Sequence, residues 1–86
     1  MKLNENFIRH QVGGETLIVP TGDADFHGLI QGNKTLSAIA GCLLQDTTEE
    51  RIVDALCARF DGDREVIKAD VAEAVNRLRE IGAIDD

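Results

Sequence analysis

Two periodicities divide the chain. Up to residue 31 the apolar residues come in short runs or in alternation, and from residue 33 onward they recur every three or four positions. Phe7–Val12 and Glu15–Val19 are short segments rich in Ile, Val and Leu. The Gly13-Gly14 pair between them can take the positive φ of a two-residue turn, which predicts a β-hairpin. Pro20-Thr21-Gly22-Asp23 predicts a further turn. In Phe26–Gln31, Phe26, Gly28 and Ile30 alternate against His27, Leu29 and Gln31, predicting a third strand that returns beside the second. The N-terminal third therefore reads as a three-stranded antiparallel meander.

The helical period starts without a loop. Asn33 is a favoured N-cap, and Leu36, Ile39, Ala40, Leu43 and Leu44 follow at helical spacing, so a first helix is expected to run to about Leu44. Thr47-Thr48-Glu49-Glu50 reads as a capping box, with the Thr47 hydroxyl accepting from the Glu50 amide. Ile52, Val53, Leu56 and Phe60 form a second stripe. Asp61-Gly62-Asp63 breaks it, Asp63 can cap a third helix, and Ile67, Val71, Ala74, Leu78 and Ile81 form a stripe that stops at Gly82. Strands first and helices after predict an α+β fold, winged helix-turn-helix-like, with a three-stranded antiparallel sheet followed by three helices.

The third strand is unusual for a sheet edge. Phe26–Gln31 has no Pro, no Lys and no other charge, the features that keep open edges from pairing with other chains. If strands lie in sequence order, this edge offers free N–H and C=O groups to an added peptide strand, and Gly28 lets another backbone come close. A short, twisted or covered strand is the alternative.

Length bounds the rest. The 86 residues suit one domain over 1–86, which buries only about 60% of the surface its unfolded chain exposes. With 43% hydrophobic residues and three Phe but no Tyr or Trp, the core must be aliphatic. The net charge of -7 falls mostly on the C-terminal half, where residues 46–86 carry six Lys/Arg against twelve Asp/Glu. That balance opposes binding to nucleic acid or to an anionic membrane, both of which need clustered cations. Cys42 and Cys57 sit among aliphatic residues and read as buried thiols of a reducing compartment. No secretory or membrane-spanning run is present, so a cytoplasmic location is expected.

Catalytic patterns are missing. His10 and His27 are isolated in strand segments, and the chain has no H-E-x-x-H, C-x-x-C, G-x-S-x-G or phosphate-binding glycine loop. Neither an enzyme, a metal site nor a cofactor is expected. The third helix is more informative, because its charges sort to either side of the apolar stripe. Arg64, Lys68 and Arg79 share one shoulder with Ala72 and Val75, while Glu65, Asp70, Glu73 and Glu80 take the far side with Arg77 as the only cation among them. A solvated face accounts for this pattern, as does a mixed apolar and basic strip holding a partially acidic peptide.

The order of elements and several residues resemble the PqqD family, small peptide-binding proteins of pyrroloquinoline quinone biosynthesis and relatives of the precursor-recognition domains of ribosomal peptide maturation. In "GLIQGNKTLSAIAGCLL", Asn33 is similar to the family's helix-starting Asn, and Ile39 and Leu43 to its core positions. "DTTEERIVDALCARFD" resembles its acidic-Thr turn and following helix, with Ile52, Leu56 and a closing Phe60; "DVAEAVNRLREIGAI" resembles its last helix, with Val71, Leu78 and Gly82. Gly32 departs from the family's usual Leu, and Ala40 from a position that is often bulky. The resemblance implies a non-catalytic adaptor that binds the leader segment of a precursor peptide as an added strand, between the third strand and the last helix. It also implies presentation to a modifying enzyme, often of the radical S-adenosylmethionine type. On that pattern the groove would be lined by His27, Gly28, Leu29 and Ile30 on one side and by Lys68, Val71, Ala72, Val75 and Arg79 on the other. The competing readings are a winged-helix DNA-binding regulator and a self-associating module, with a monomer or weak homodimer as the expected state.

Overall fold

The computed structural model describes residues 1–21, 30–32 and 34–86. Its elements are β1 (Lys2–Leu3), β2 (Phe7–Val12), β3 (Glu15–Pro20), β4 (Ile30–Gly32), α1 (Lys34–Cys42), α2 (Glu49–Arg59), α3 (Arg64–Glu80) and β5 (Ile84–Asp85). The hairpin forms as its composition dictates, with Val12 opposite Glu15 and Gly13 at φ +63° in the turn. β3 then pairs antiparallel with β4, giving the sheet order β2-β3-β4 and the expected α+β architecture. Phe26–Leu29 of the expected third strand, Gly22 and Asp23 of the expected turn, and Asn33 lie outside the described residues.

One face of the sheet packs on the helices. Phe7 and Ile18 point inward to join Leu36, Ile39, Ala40 and Leu43 of the α1 segment, Ile52, Val53 and Leu56 of α2, and Ile67, Val71, Val75 and Leu78 of α3. Burying each such aliphatic side chain contributes about 1.5–3 kcal/mol. Polar ties fix α1 across the hairpin: Arg9 Nη1 donates to the Ser37 carbonyl at 3.4 Å and Gln11 Nε2 to Ser37 Oγ at 2.7 Å.

Helix ends follow local chemistry, with two adjustments. Asp63 caps α3 by accepting from the Glu65 amide at 2.9 Å. At the other end Gly82, at φ +79°, donates to the Arg79 carbonyl at 3.0 Å and Ala83 to the Leu78 carbonyl at 2.8 Å. This is the paired Schellman arrangement, and its left-handed position explains why the stripe stops at a glycine. The cap of α2 is Thr48, one residue later than the sequence suggests: its hydroxyl accepts from the Arg51 amide at 3.2 Å. Thr47 is held outside the helix because its amide donates to the Met1 carbonyl and its carbonyl accepts from the Met1 ammonium, each at 2.8 Å. Arg51 therefore takes the position of the expected Glu50, and the reciprocal box does not form. α1 ends at Cys42 rather than Leu44, and Leu44 is 58% exposed.

A second, two-stranded sheet was not legible in the apolar pattern. β1 pairs antiparallel with β5, Lys2 opposite Asp85 and Leu3 opposite Ile84. Leu3 donates to the Leu43 carbonyl at 2.8 Å and Asn4 to the Ala83 carbonyl at 2.7 Å, so this ribbon binds the corner between α1 and α2 to the end of α3. The Met1 ammonium bonds Asp46 Oδ1 at 2.7 Å, and that hydrogen bond with its charge holds the Asp46 carboxyl below the ordinary carboxylate range.

Candidate functional site

Among the described strands, β4 has a partner on one side only. Ile30, Gln31 and Gly32 pair with Ile18, Leu17 and Thr16 of β3, and among the described strands nothing pairs with the other edge of β4. The chain passes from that edge into α1, which brings Thr35 and Leu36 beside the strand's end. α3 lies across from them. Between these three elements is a cleft of ≈ 290 Å³, with Leu36 and Ile39 as its apolar floor, Gly32 and Thr35 at the strand side, and Asp70, Glu73, Ala74 and Arg77 along α3. Leu36 is 7% and Ile39 0% exposed, so the floor is part of the core and is rigidly backed. A neighbouring hollow of ≈ 280 Å³ shares Thr35 and Asp70 and carries the cleft onward past Ile67 to Phe60 and Asp61. The combination is a strand edge, unpaired among the described strands, beside an apolar trough, which suits an extended peptide.

The residues expected from the sequence are distributed differently. His27, Gly28 and Leu29 lie outside the described residues, and of Ile30 only the backbone is described, in β4 opposite Ile18. Val71 and Val75 are 0% exposed and belong to the core, where they support the fold and offer no surface to a ligand. Lys68 borders another hollow, of ≈ 340 Å³ between α2 and α3, with Glu49, Glu50 and Arg64. Arg79 turns to the chain ends, donating to Asp86 Oδ1 at 3.0 Å and lying 3.6 Å from the Met1 sulfur. Ala72 is half-buried and does not border the cleft. The shoulder of α3 that borders the cleft beside β4 is thus the acidic one, and the basic strip faces elsewhere. A single apolar stripe has two shoulders, and which of them borders the cleft beside the strand depends on how α3 packs against α1 and α2, a tertiary property absent from the spacing on α3 itself. Ala74, a small residue on the stripe, was the one sequence signal of a cleft on this side.

Gly32 has a physical role that its departure from the family pattern conceals. A Cβ built there would lie 2.5 Å from Leu36 Cδ2 and 2.7 Å from Leu36 Cβ, closer than real Cβ atoms approach. The second of these belongs to a carbon fixed by the helix backbone, so it cannot simply swing away. Gly32→Ala is therefore expected to destabilise the protein by about 1–3 kcal/mol through overpacking, measured by denaturant unfolding. An unchanged midpoint would show that β4 and α1 do not hold this close approach in solution.

Comparison with curated proteins yields no match. Among solved structures, the fold is similar to that of TbiB1 in complex with the TbiA(beta) leader peptide, with TM-score 0.75 and 22% identity over 99% of this chain and 100% of that one. It is also similar to lasso peptide synthetase B1 complexed with the leader peptide, with TM-score 0.74 and 20% identity over 95% of this chain and 93% of that one. A family model for coenzyme PQQ synthesis protein D (PqqD) matches residues 25–84, covering the strand edge, all three helices and the cleft between them, and the chain belongs to the PqqD family.

Proposed function

We propose that this protein is a non-catalytic adaptor that binds the leader segment of a ribosomally made precursor peptide and presents it to a peptide-modifying enzyme of the radical S-adenosylmethionine type. The leader adds as a strand to the free edge of β4 and lays alternate side chains into the trough between α1 and α3. The observation that carries this reading is the placement of a strand edge, unpaired among the described residues, beside an apolar cleft of ≈ 290 Å³. Its support from outside the chain is that two proteins of similar fold were solved with leader peptides bound. Backbone bonding along β4 supplies affinity without a sequence requirement, and the trough supplies selectivity.

Amide chemical-shift titration of the labelled protein, with leader peptides encoded by short reading frames near its gene, tests the proposal. Saturable shifts are expected at Ile30–Gly32 and along residues 70–77, with Lys68 and Arg79 little affected. Absence of shifts with every candidate, or shifts confined to the Lys68 hollow, would overturn the reading.

A further inference from the structure

The charges along the cleft are ordered, and this order carries a statement about the peptide. Asp70 and Glu73 border the trough on α3, with Arg77 one to two turns further on. At 1.5 Å per residue the helix rise from Asp70 to Arg77 is about 10 Å. An extended peptide covers that distance in about three residues. Glu73 and Arg77 stand at the i,i+4 spacing that favours an ion pair on a helix, yet among the described residues the side chains of Asp70, Glu73 and Arg77 make no ion pair and no hydrogen bond with one another or with other groups. Asp70 and Glu73, three residues apart on α3, both border the cleft above its apolar floor. A cation seated between them faces both carboxylates. The arrangement is also opposite in sign to the basic strip expected from the sequence.

Resting on the reading of the cleft as a leader-binding site, we infer that it selects a dipolar peptide, with a Lys or Arg seated at Asp70 and Glu73 and an Asp or Glu, two to four residues away, seated at Arg77. The net charge of -7 alone would draw any cationic peptide weakly and without position. At physiological salt, charges beyond about 8 Å are largely screened, so the groups bordering the trough discriminate and the remaining acids do not. Complementary charge of this kind fixes register as well as partner, which an added strand needs, because its backbone bonds alone permit slippage.

The test is selection from a display library of randomised 12-residue peptides on the immobilised full chain, followed by affinity measurements on the enriched peptides. Enriched peptides are expected to carry a cation and an acid two to four positions apart. The double change Asp70→Asn with Glu73→Gln is expected to weaken them about tenfold and to erase the cation preference. Arg77→Gln is expected to erase only the acid preference. A control with Glu65→Gln and Glu80→Gln removes the same charge away from the cleft and is expected to weaken binding less than about twofold. Enriched peptides that shift the amides of residues 30–32 but show no charge order, or equal losses in the control and the cleft variant, overturn the inference and leave the adaptor reading standing. Failure to enrich any peptide that shifts those amides overturns both.

Discussion

Leu43→Ala is expected to lower the thermal midpoint by at least about 10 °C, while Leu44→Ala moves it by no more than about 4 °C. The two leucines are adjacent and both fit the helical stripe of α1, so chemistry and sequence position are matched. Their surroundings differ: Leu43 is 0% and Leu44 58% exposed. Truncating a buried Leu removes its transfer free energy and leaves a cavity, together about 2.7–5.0 kcal/mol, and each kcal/mol moves the midpoint of a domain this size by about 4–8 °C. Total stability for 86 residues is expected near 4–13 kcal/mol, so the Leu43 change removes a large share of it. The Leu44 change touches solvent and stays within about 0.5 kcal/mol. The Leu43 carbonyl accepts from Leu3 and ties β1 to the α1–α2 corner, and since Ala keeps that carbonyl, the melting shift reports the loss of the buried side chain. Calorimetry on the pair checks the claim, and equal melting shifts would mean that this corner is not packed as described.

The same pair shows how far local pattern reaches. Periodicity located all three helices, and the cap and stop residues Asp63 and Gly82 were readable because each acts on backbone groups within a few residues. The cap of α2 was displaced by one residue through bonds to Met1, a partner 46 positions away, and nothing in Thr47-Thr48-Glu49-Glu50 records that partner. The end of α1 came early for a related reason: Leu43 turns into the core under β1, which forces Leu44 out. The ribbon of β1 and β5 was invisible because each strand has only two residues, too short for any alternation to register. Local signals were reliable where the competing interaction was local.

The candidate site divides along the same line. That a strand edge and the last helix are its two sides could be argued from the missing edge guards and from the sorted charges on α3. Which shoulder of α3 faces β4 could not, because Lys68 and Asp70 both lie within reach of the stripe, and their assignment depends on the packing of α3 across both α1 and α2. Val75 shows the difficulty in one residue. Its spacing puts it on the shoulder shared by Arg64, Lys68 and Arg79, yet its neighbours Val71 and Leu78 draw it into the core, and the buried stripe of α3 is centred on Ile67, Val71, Val75 and Leu78 with Ala74 left at its margin. A shift of the stripe by a fraction of a turn moves the acidic residues from the far side of the helix to the border of the cleft.

That margin is where the second large effect is expected. Ala74→Trp should reduce leader-peptide affinity by at least about thirtyfold, roughly 2 kcal/mol, the scale of a central binding residue. Ala74 is half-buried on the wall of the ≈ 290 Å³ cleft, so an indole there occupies the space between α3 and the Leu36–Ile39 floor that the peptide's side chains need. Stability should change by only about 0.5–1 kcal/mol, because the site is open on one side and Trp costs a helix modestly relative to Ala. Lys68→Trp is the matched comparison. It adds the same ring to the same helix, but on the shoulder bordering the hollow with Glu49 and Glu50, and it should bind peptide as the parent does. Affinities measured by fluorescence anisotropy on both variants, with unfolding curves in parallel, separate occlusion from misfolding. Retained binding in Ala74→Trp together with loss in Lys68→Trp would move the peptide to the basic shoulder and restore the sequence-based assignment. The opposite result fixes the acidic shoulder of α3 as the wall against which the added strand is read.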